Sequence, residues 1–152
     1  EYYKMDLTLQ TYYPIISKSI FAMRFQAGRM WNWNESNDLY YEKFYLGGST
    51  SMRGWDVLKF SLNEEKPNGK TIRLMTNMEL RNNIYKTFGI TVFTDGGILT
   101  DQVSNISFPN FKWNAGLGIT FKTPLGPFRV DYAIRLNENN EKRIQLGFQN
   151  LF

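Results

Sequence analysis

The chain has 152 residues, about one domain's worth, with 18 basic and 14 acidic residues for a net charge of +4. It contains no cysteine and no histidine, which excludes thiol nucleophiles, Ser-His-Asp triads, disulfide scaffolding and zinc sites built on those ligands. The mild positive charge does not single out nucleic acid as a partner, and 12 Phe, 9 Tyr and 4 Trp make the chain strongly aromatic.

No apolar run approaches the roughly 18 residues of a transmembrane helix. The sequence opens at Glu1-Tyr-Tyr-Lys4, inside what reads as a strand, and is taken as part of a longer protein. Its mean hydropathy is negative. That suits a soluble protein, but also a membrane barrel, whose strands alternate polar and apolar residues.

Period-two alternation runs through the whole chain and predicts seven strands. The first sets Met5, Leu7 and Leu9 against Lys4, Asp6, Thr8 and Gln10; the second sets Phe21, Met23, Phe25 and Ala27 against Arg24 and Gln26. A long excursion follows, from Arg29 to Lys70. Within it, Gly47-Gly48 opens a segment that ends Ser51-Met52-Arg53-Gly54-Trp55. The glycine pair permits backbone angles closed to other residues, so the loop can fold back and present one guanidinium in a fixed pose. Trp31, Trp33, Tyr40 and Tyr41 read as part of an aromatic girdle at a membrane surface.

The third strand sets Ile72, Leu74, Met78 and Leu80 against Arg73, Asn77 and Glu79; the fourth sets Ile90 and Val92 against Thr91, Phe93 and Asp95. The fifth sets Phe111, Trp113, Ala115, Leu117, Ile119 and Phe121 against Lys112, Asn114, Gly116, Gly118 and Thr120. The sixth sets Phe128, Val130, Tyr132, Ile134 and Leu136 against Arg129, Asp131 and Arg135. The last sets Ile144, Leu146, Phe148 and Phe152 against Arg143, Gln145 and Gln149. Asn34-Glu-Ser36 and Asn105-Ile-Ser107 match glycosylation acceptors by chance spacing, Asp95-Gly-Gly lacks the other ligands of a calcium loop, and Glu64-Glu65-Lys66 reads as a solvated turn.

A lipocalin-like barrel or a sandwich would give the same alternation with the apolar face inward. Strands of about 9–11 residues and strict segregation of charge favour the inverted case, in which apolar side chains face lipid and a charge there costs roughly 2–4 kcal/mol. Connections alternate as in outer-membrane barrels: Pro14 to Lys18, Asn82 to Thr87 and Pro124 to Pro127 are short, whereas Arg29 to Lys70 and Gly97 to Asn110 are long and Asn137 to Glu141 is intermediate. Seven strands cannot close such a barrel, so further strands are expected from sequence upstream of Glu1.

Gly47-Gly48, Ser51 and Met52-Arg53-Gly54-Trp55 resemble the long-loop signature of the outer-membrane assembly-factor superfamily, the BamA and TamA type that carries the bacterial surface antigen domain, with Met52 in place of a usual valine and Trp55 in place of a usual Phe or Tyr. Gly116-Leu-Gly118 through Pro124-Leu-Gly126-Pro127 to Asp131-Tyr132-Ala133 resembles that family's penultimate hairpin, and Phe93-Thr94-Asp95-Gly96-Gly97 its aromatic-x-Asp-x-Gly strand end. The resemblance covers essentially the whole chain. It implies the final seven strands of an antiparallel transmembrane β-barrel of about sixteen, with residues 1–152 in one barrel domain and a loop at about 30–70 folding into the lumen. It also implies that Arg53 meets Glu79 and Asp95 with Phe93 beside them, residues that strand parity places on the polar face.

Gln145, Gly147, Phe148 and Phe152 resemble the terminal strand that ends outer-membrane proteins, with Asn150 where a hydrophobic residue is usual. Such a strand can pair by β-augmentation, and Gly147 would weaken the seam it forms. The resemblance implies an insertase and not an enzyme, one that helps β-barrel proteins fold into a bacterial outer membrane; a secretion pore of the same superfamily or a porin-like channel are its rivals. Expected partners are outer-membrane lipid, unfolded client barrels and accessory assembly subunits, with no cofactor, metal or nucleic acid.

Overall fold

The computed structural model describes residues 1–33, 40–63, 66–136, 139–148 and 151–152. Its strands are β1 (Tyr2–Ile16), β2 (Ser19–Asn32), β3 (Leu62–Asn63), β4 (Lys66–Pro67), β5 (Ile72–Tyr85), β6 (Phe88–Thr100), β7 (Lys112–Thr123), β8 (Gly126–Arg135) and β9 (Lys142–Phe148). Among the described residues no helix is long and apolar enough to cross a membrane. Seven strands form one sheet in the order β1-β2-β5-β6-β7-β8-β9, every neighbour antiparallel, while β3 and β4 make a small separate hairpin inside the long connection.

The seven main strands are those that alternation predicts, but most are longer. β1 has 15 residues, β2 and β5 have 14 and β6 has 13. The expected turn at residues 82–87 shrinks to Lys86-Thr87, because the ladder continues through an irregularity between Asn83 and Tyr85. Likewise β2 runs to Asn32 and β6 to Thr100. Polar residues at strand ends conceal the ladder from a hydrophobicity count, yet their backbones still pair. The three tight connections, at residues 17–18, 86–87 and 124–125, fall at one end of the sheet; the three longer ones, at residues 33–71, 101–111 and 136–141, fall at the other.

Polarity is inverted relative to a soluble sheet. Leu7, Leu80, Val92, Leu117, Ile119, Ile144 and Leu146 are exposed, whereas Arg24, Asn77, Glu79, Asp95, Asn114, Arg129 and Asp131 are buried. On β7 the outward residues read Trp113, Ala115, Leu117, Ile119 and Phe121. Trp113 stacks with Phe111 near the long connections, and Phe121 meets Phe88 near the tight turns, with Phe128 and Phe148 forming a further outward pair. At about 3.3 Å rise per residue and a tilt of about 40°, Trp113 and Phe121 stand roughly 20 Å apart along the bilayer normal, close to the ~25 Å apolar band that aromatic girdles flank.

The aromatics of the long connection divide. Trp31 packs with Tyr3 near the end of β2, and Trp33 is exposed. Tyr40 is instead a loop residue: its hydroxyl donates to the Pro67 carbonyl at 2.7 Å, and its ring meets Tyr41 and Tyr45. The girdle reading therefore fails for Tyr40, because its hydroxyl and ring are engaged within the connection. The Asn34–Ser36 triplet and Glu64-Glu65 lie outside the described residues.

Candidate functional site

The segment that leaves β2 folds back onto the buried face of the sheet. Phe44 and Lys70 close its base as a β-bridge. Gly47 and Gly48 then turn the chain inward with φ of 113° and 93°, values that L side chains avoid. Space is as restrictive as angle there, since a Cβ on Gly47 would lie 2.2 Å from the Asp56 carbonyl oxygen. The Ser51 hydroxyl accepts from the Gly47 N–H and donates to the Gly47 carbonyl, each at 2.9 Å, and the Gly48 N–H donates to the Trp55 carbonyl at 2.7 Å. Residues 47–55 thus form a tight, internally bonded loop with Arg53 at its inner tip.

Arg53 is fully buried. Its Nε and one terminal nitrogen reach both Asp95 oxygens at 3.0 and 2.6 Å, and the other terminal nitrogen reaches Glu79 at 2.5 Å. The Arg53 backbone N–H also donates to Asp95, at 3.2 Å. The guanidinium lies 3.5 Å from the centre of the Phe93 ring, a stacked cation–π contact. Glu79 comes from β5, and Phe93 and Asp95 come from β6, so one loop residue ties two strands at once. Burial pulls the Arg53 pKa down, but Asp95, by charge and hydrogen bond, then Glu79 and Asp131, hold it above its ordinary value.

The network extends further than Arg53 and its three neighbours. Asn77 donates to Asp95 at 2.8 Å and to the Ser51 carbonyl at 2.7 Å. Arg24 on β2 donates to the Asn77 side-chain oxygen Oδ1 at 2.7 Å and to the Thr50 carbonyl at 2.9 Å. Arg81 holds the second Glu79 oxygen at 2.7 Å. On β8, Asp131 lies 3.9 Å from Arg53 and pairs with Arg129 at 2.5 Å, and Arg129 donates to the Ser49 carbonyl. Arg135 donates to the Gly54 carbonyl and covers Trp55 at 4.8 Å. Parity marks Arg24, Asn77, Arg129 and Asp131 as polar-face residues, and that is the one signal that could have recruited them.

Apolar packing supports the loop on the same face. Leu46, Met52, Trp55, Phe60 and Met75 form a buried cluster, with Trp55 edge-on to Phe60 at 5.0 Å. Met75 breaks the alternation of β5, standing on the polar face beside Leu74 on the other; the interruption marks where the loop's apolar side lands. Gly116 opposes Phe93 in the ladder and leaves room for its ring, since a Cβ there would come within 2.5 Å of Phe93 and 2.1 Å of the Tyr132 carbonyl oxygen.

The terminal strand differs in part from the sequence reading. Gln145 donates to the Trp55 carbonyl at 3.1 Å, so it serves the loop. Gly147 faces Arg129 across the ladder, and a Cβ there would stand 3.1 Å from the guanidinium; this glycine has a packing role that an argument from weak pairing overlooks. Phe148 faces outward against Phe128. Phe152 does not continue the apolar face. β9 ends at Phe148, residues 149–150, Asn150 among them, lie outside the described residues, and the Phe152 ring sits under Arg24 and Arg81 at 5.1 and 4.9 Å. The Leu151 and Phe152 main-chain oxygens accept from the same two arginines. Extrapolating parity beyond Phe148 assumed an unbroken strand, and these arginine contacts turn the last residues inward.

An apolar exterior, two aromatic bands and a charged interior filled by the chain's own loop define a wall of an outer-membrane-type β-barrel. Residues 1–150 match the Omp85 superfamily domain, and the chain belongs to that superfamily. It is 35% identical over 121 residues to outer envelope protein 39 of chloroplasts from Arabidopsis thaliana, a match covering 73% of this chain and 30% of that protein. Its fold is similar to that of BamA from Haemophilus ducreyi lacking POTRA domains 1–3, with a TM-score of 0.74 and 19% identity over 96% of this chain and 34% of that one. The chain spans about a third of the length of either, and its seven antiparallel strands match part of the larger BamA chain.

Proposed function

We propose that this chain is the C-terminal part of the barrel of an insertase, which acts by strand pairing and not by covalent chemistry, and which assists β-barrel proteins into a bacterial outer membrane. The supporting observation is the uneven way the loop holds the wall. Arg53 braces β5 and β6 through buried carboxylates, and β8 joins through Asp131 and Arg129. The terminal β9 has 7 residues, and among the described residues it meets the loop through one hydrogen bond from Gln145 and a partly exposed Arg143–Asp56 pair at 3.7 Å. A rigid wall beside a lightly held edge suits a seam that opens to template the strands of an unfolded client, by the same main-chain pairing that peptides use to extend a sheet. Lipid around the barrel, client proteins and accessory assembly subunits are the partners of this reading.

The test uses the full-length protein. Arg53→Ala and Arg53→Lys are introduced, and folding of a model outer-membrane protein into vesicles is followed by its heat-modifiable mobility. Assembly is expected to fall several-fold in both variants, more in the alanine form. If client folding is unchanged while export of a soluble partner fails, the protein is a secretion pore. Unchanged ion conductance as the only activity would identify a simple channel.

A further inference from the structure

β9 ends at Phe148 on one edge of the seven-stranded sheet, yet residues 151 and 152 lie against strands of its other half. Leu151 is buried, and its main-chain oxygen accepts from Arg24 of β2 at 3.1 Å. The Phe152 main-chain oxygen accepts from Arg81 of β5 at 3.0 Å. The Phe152 ring lies 5.1 Å from the Arg24 guanidinium and 4.9 Å from that of Arg81, and it meets the Tyr12 ring of β1 at 6.1 Å. Tyr12, Arg24 and Arg81 all stand on the inward face. Tyr12 opposes Ala22 and Arg81 opposes Ile20, and both of those β2 residues share the parity of Arg24.

The seat is built without help from the residues that fill it. Arg24 is fixed from behind by the Asn77 side chain and the Thr50 carbonyl, and Arg81 by Glu79 at 2.7 Å. Each guanidinium therefore presents preset donors to the lumen, whatever sits against it. When residues 151–152 leave, water satisfies those N–H groups but supplies no ring for the guanidinium faces.

The present occupants define what the seat takes. One position holds a buried aliphatic side chain and the next an aromatic ring, while the two arginines read consecutive main-chain oxygens. Two hydrogen bonds and ring contacts near 5 Å hold them, against ionic bonds of 2.5 to 3.0 Å around Arg53, so they are displaced the more readily of the two. An open hollow of about 310 Å³ borders Arg81, lined also by Ile20, Thr91, Thr120 and Lys122, and gives an incoming chain access from the tight-turn end. We propose that the inward seat made by Tyr12, Arg24 and Arg81 is a receptor site for a polypeptide segment of another protein, one carrying an aliphatic residue followed by an aromatic residue. Leu151-Phe152 occupy it in cis until such a segment displaces them. The inference goes beyond the insertase reading and holds equally for a polypeptide that is inserted or exported.

The experiment uses the full-length protein in detergent micelles and a rhodamine-labelled, amidated peptide with the sequence of residues 147–152, read by fluorescence anisotropy. A second peptide ends Leu-Ala in place of Leu-Phe. The parent protein is expected to bind the first peptide weakly, because its own residues compete. Phe152→Ala is expected to bind it at least about fivefold more tightly, since the seat is then freer to accept it. The Leu-Ala peptide is expected to lose at least about fivefold of that affinity. Adding Tyr12→Leu or Arg81→Gln to Phe152→Ala is expected to return binding to the parent level or below. Tyr12→Leu leaves the Arg53 network whole, and folding of each variant is checked by heat-modifiable mobility. Equal affinity of the parent and Phe152→Ala overturns the proposal, as does equal affinity for the two peptides. So does tight binding that Tyr12→Leu and Arg81→Gln leave unchanged, which would mark pairing of the peptide with a strand edge.

Discussion

Replacing Arg53 by alanine tests whether the loop is locked to the wall or merely rests in a wet lumen. The substitution deletes three charge-assisted bonds to Asp95 and Glu79, whose side chains are 0% and 2% exposed. Each such bond is worth about 1.5–3 kcal/mol taken alone, but they share one guanidinium and do not add. Asn77 remains on Asp95 and Arg81 on Glu79, softening the loss. Leaving buried carboxylates without their cation costs about 3–5 kcal/mol, and the expected destabilisation lies in that range. Arg53→Lys keeps a charge but loses the planar fork that engages both Asp95 oxygens, so about 1–3 kcal/mol is expected. The assay is urea unfolding of the full-length protein in detergent micelles, followed by tryptophan emission. A Trp55→Phe control isolates the signal of the indole packed on Phe60. Arg53→Met combined with Asp95→Asn removes both charges and should cost less than the sum of the single changes, by about 0.5–3 kcal/mol. Strict additivity, or an unchanged midpoint in Arg53→Ala, would refute the clamp and leave the carboxylates as solvated lumen charge.

Three further outcomes follow from the same geometry. Leu117→Arg, outward on β7 between the two aromatic bands, is expected to cost about 2–4 kcal/mol in vesicles, against under about 1 kcal/mol for Thr120→Arg on the opposite face of that strand; equal costs in reversible unfolding would contradict the inverted polarity. Gly116→Ala drives a methyl against Phe93, which is itself pinned by Arg53, and against the Tyr132 carbonyl; a loss of about 1–3 kcal/mol is expected, with faster proteolysis at residues 47–55, and a protection pattern like the parent's would disprove the packing argument. At the loop base, Asp101 accepts from Lys70 at 2.9 Å and from the Thr71 N–H at 3.0 Å. Burial pushes its carboxyl up, but these bonds outweigh it and hold the pKa below the ordinary value. Its stabilisation is therefore complete above about pH 4 and lost as pH falls through the lowered folded value. Being partly exposed, it is worth at most about 1 kcal/mol, and Asp101→Asn should abolish that acid-dependent component of loop proteolysis while lowering loop protection at neutral pH by that same small amount.

Much of this architecture is legible in the residues because alternation in lipid is enforced by a large penalty. A charge at Leu117 or Ile119 is costly, so parity on β7 is nearly free of exceptions, and the sheet order follows from successive antiparallel neighbours. The Arg53 contacts with Glu79, Asp95 and Phe93 could be named because the family resemblance implied them, and strand parity agreed by placing all three partners on the polar face. Register is what alternation does not encode. That Asn77 pairs with Asp95, or Phe93 with Gly116, depends on how far each strand slides, and no single strand's pattern records it. Arg24, Asn77, Arg129 and Asp131 were therefore visible as inward polar residues but not as one network. Phe152 failed for a related reason: parity carries no information once the ladder ends at Phe148 and the next residues bond to Arg24 and Arg81.

The distribution of buried charge carries a mechanical consequence. Interactions at the centre of this sheet are dry ion pairs and a stacked guanidinium, which must break together before β5 and β6 can part from the loop. Interactions toward its sides are wet. Lys4 reaches the Glu42 carbonyl from β1 at an exposed position, and Arg143 on β9 stands 3.7 Å from a half-exposed Asp56. Exposed pairs of this kind are worth about 0–1 kcal/mol, several-fold less than the central cluster. Force applied to this sheet is thus expected to free the loop from its flanking strands before it parts β5 and β6 from Arg53. A barrel built this way need not be unstable to open. It needs only a middle much harder to deform than its edges, and Arg53 with its carboxylates supplies that contrast.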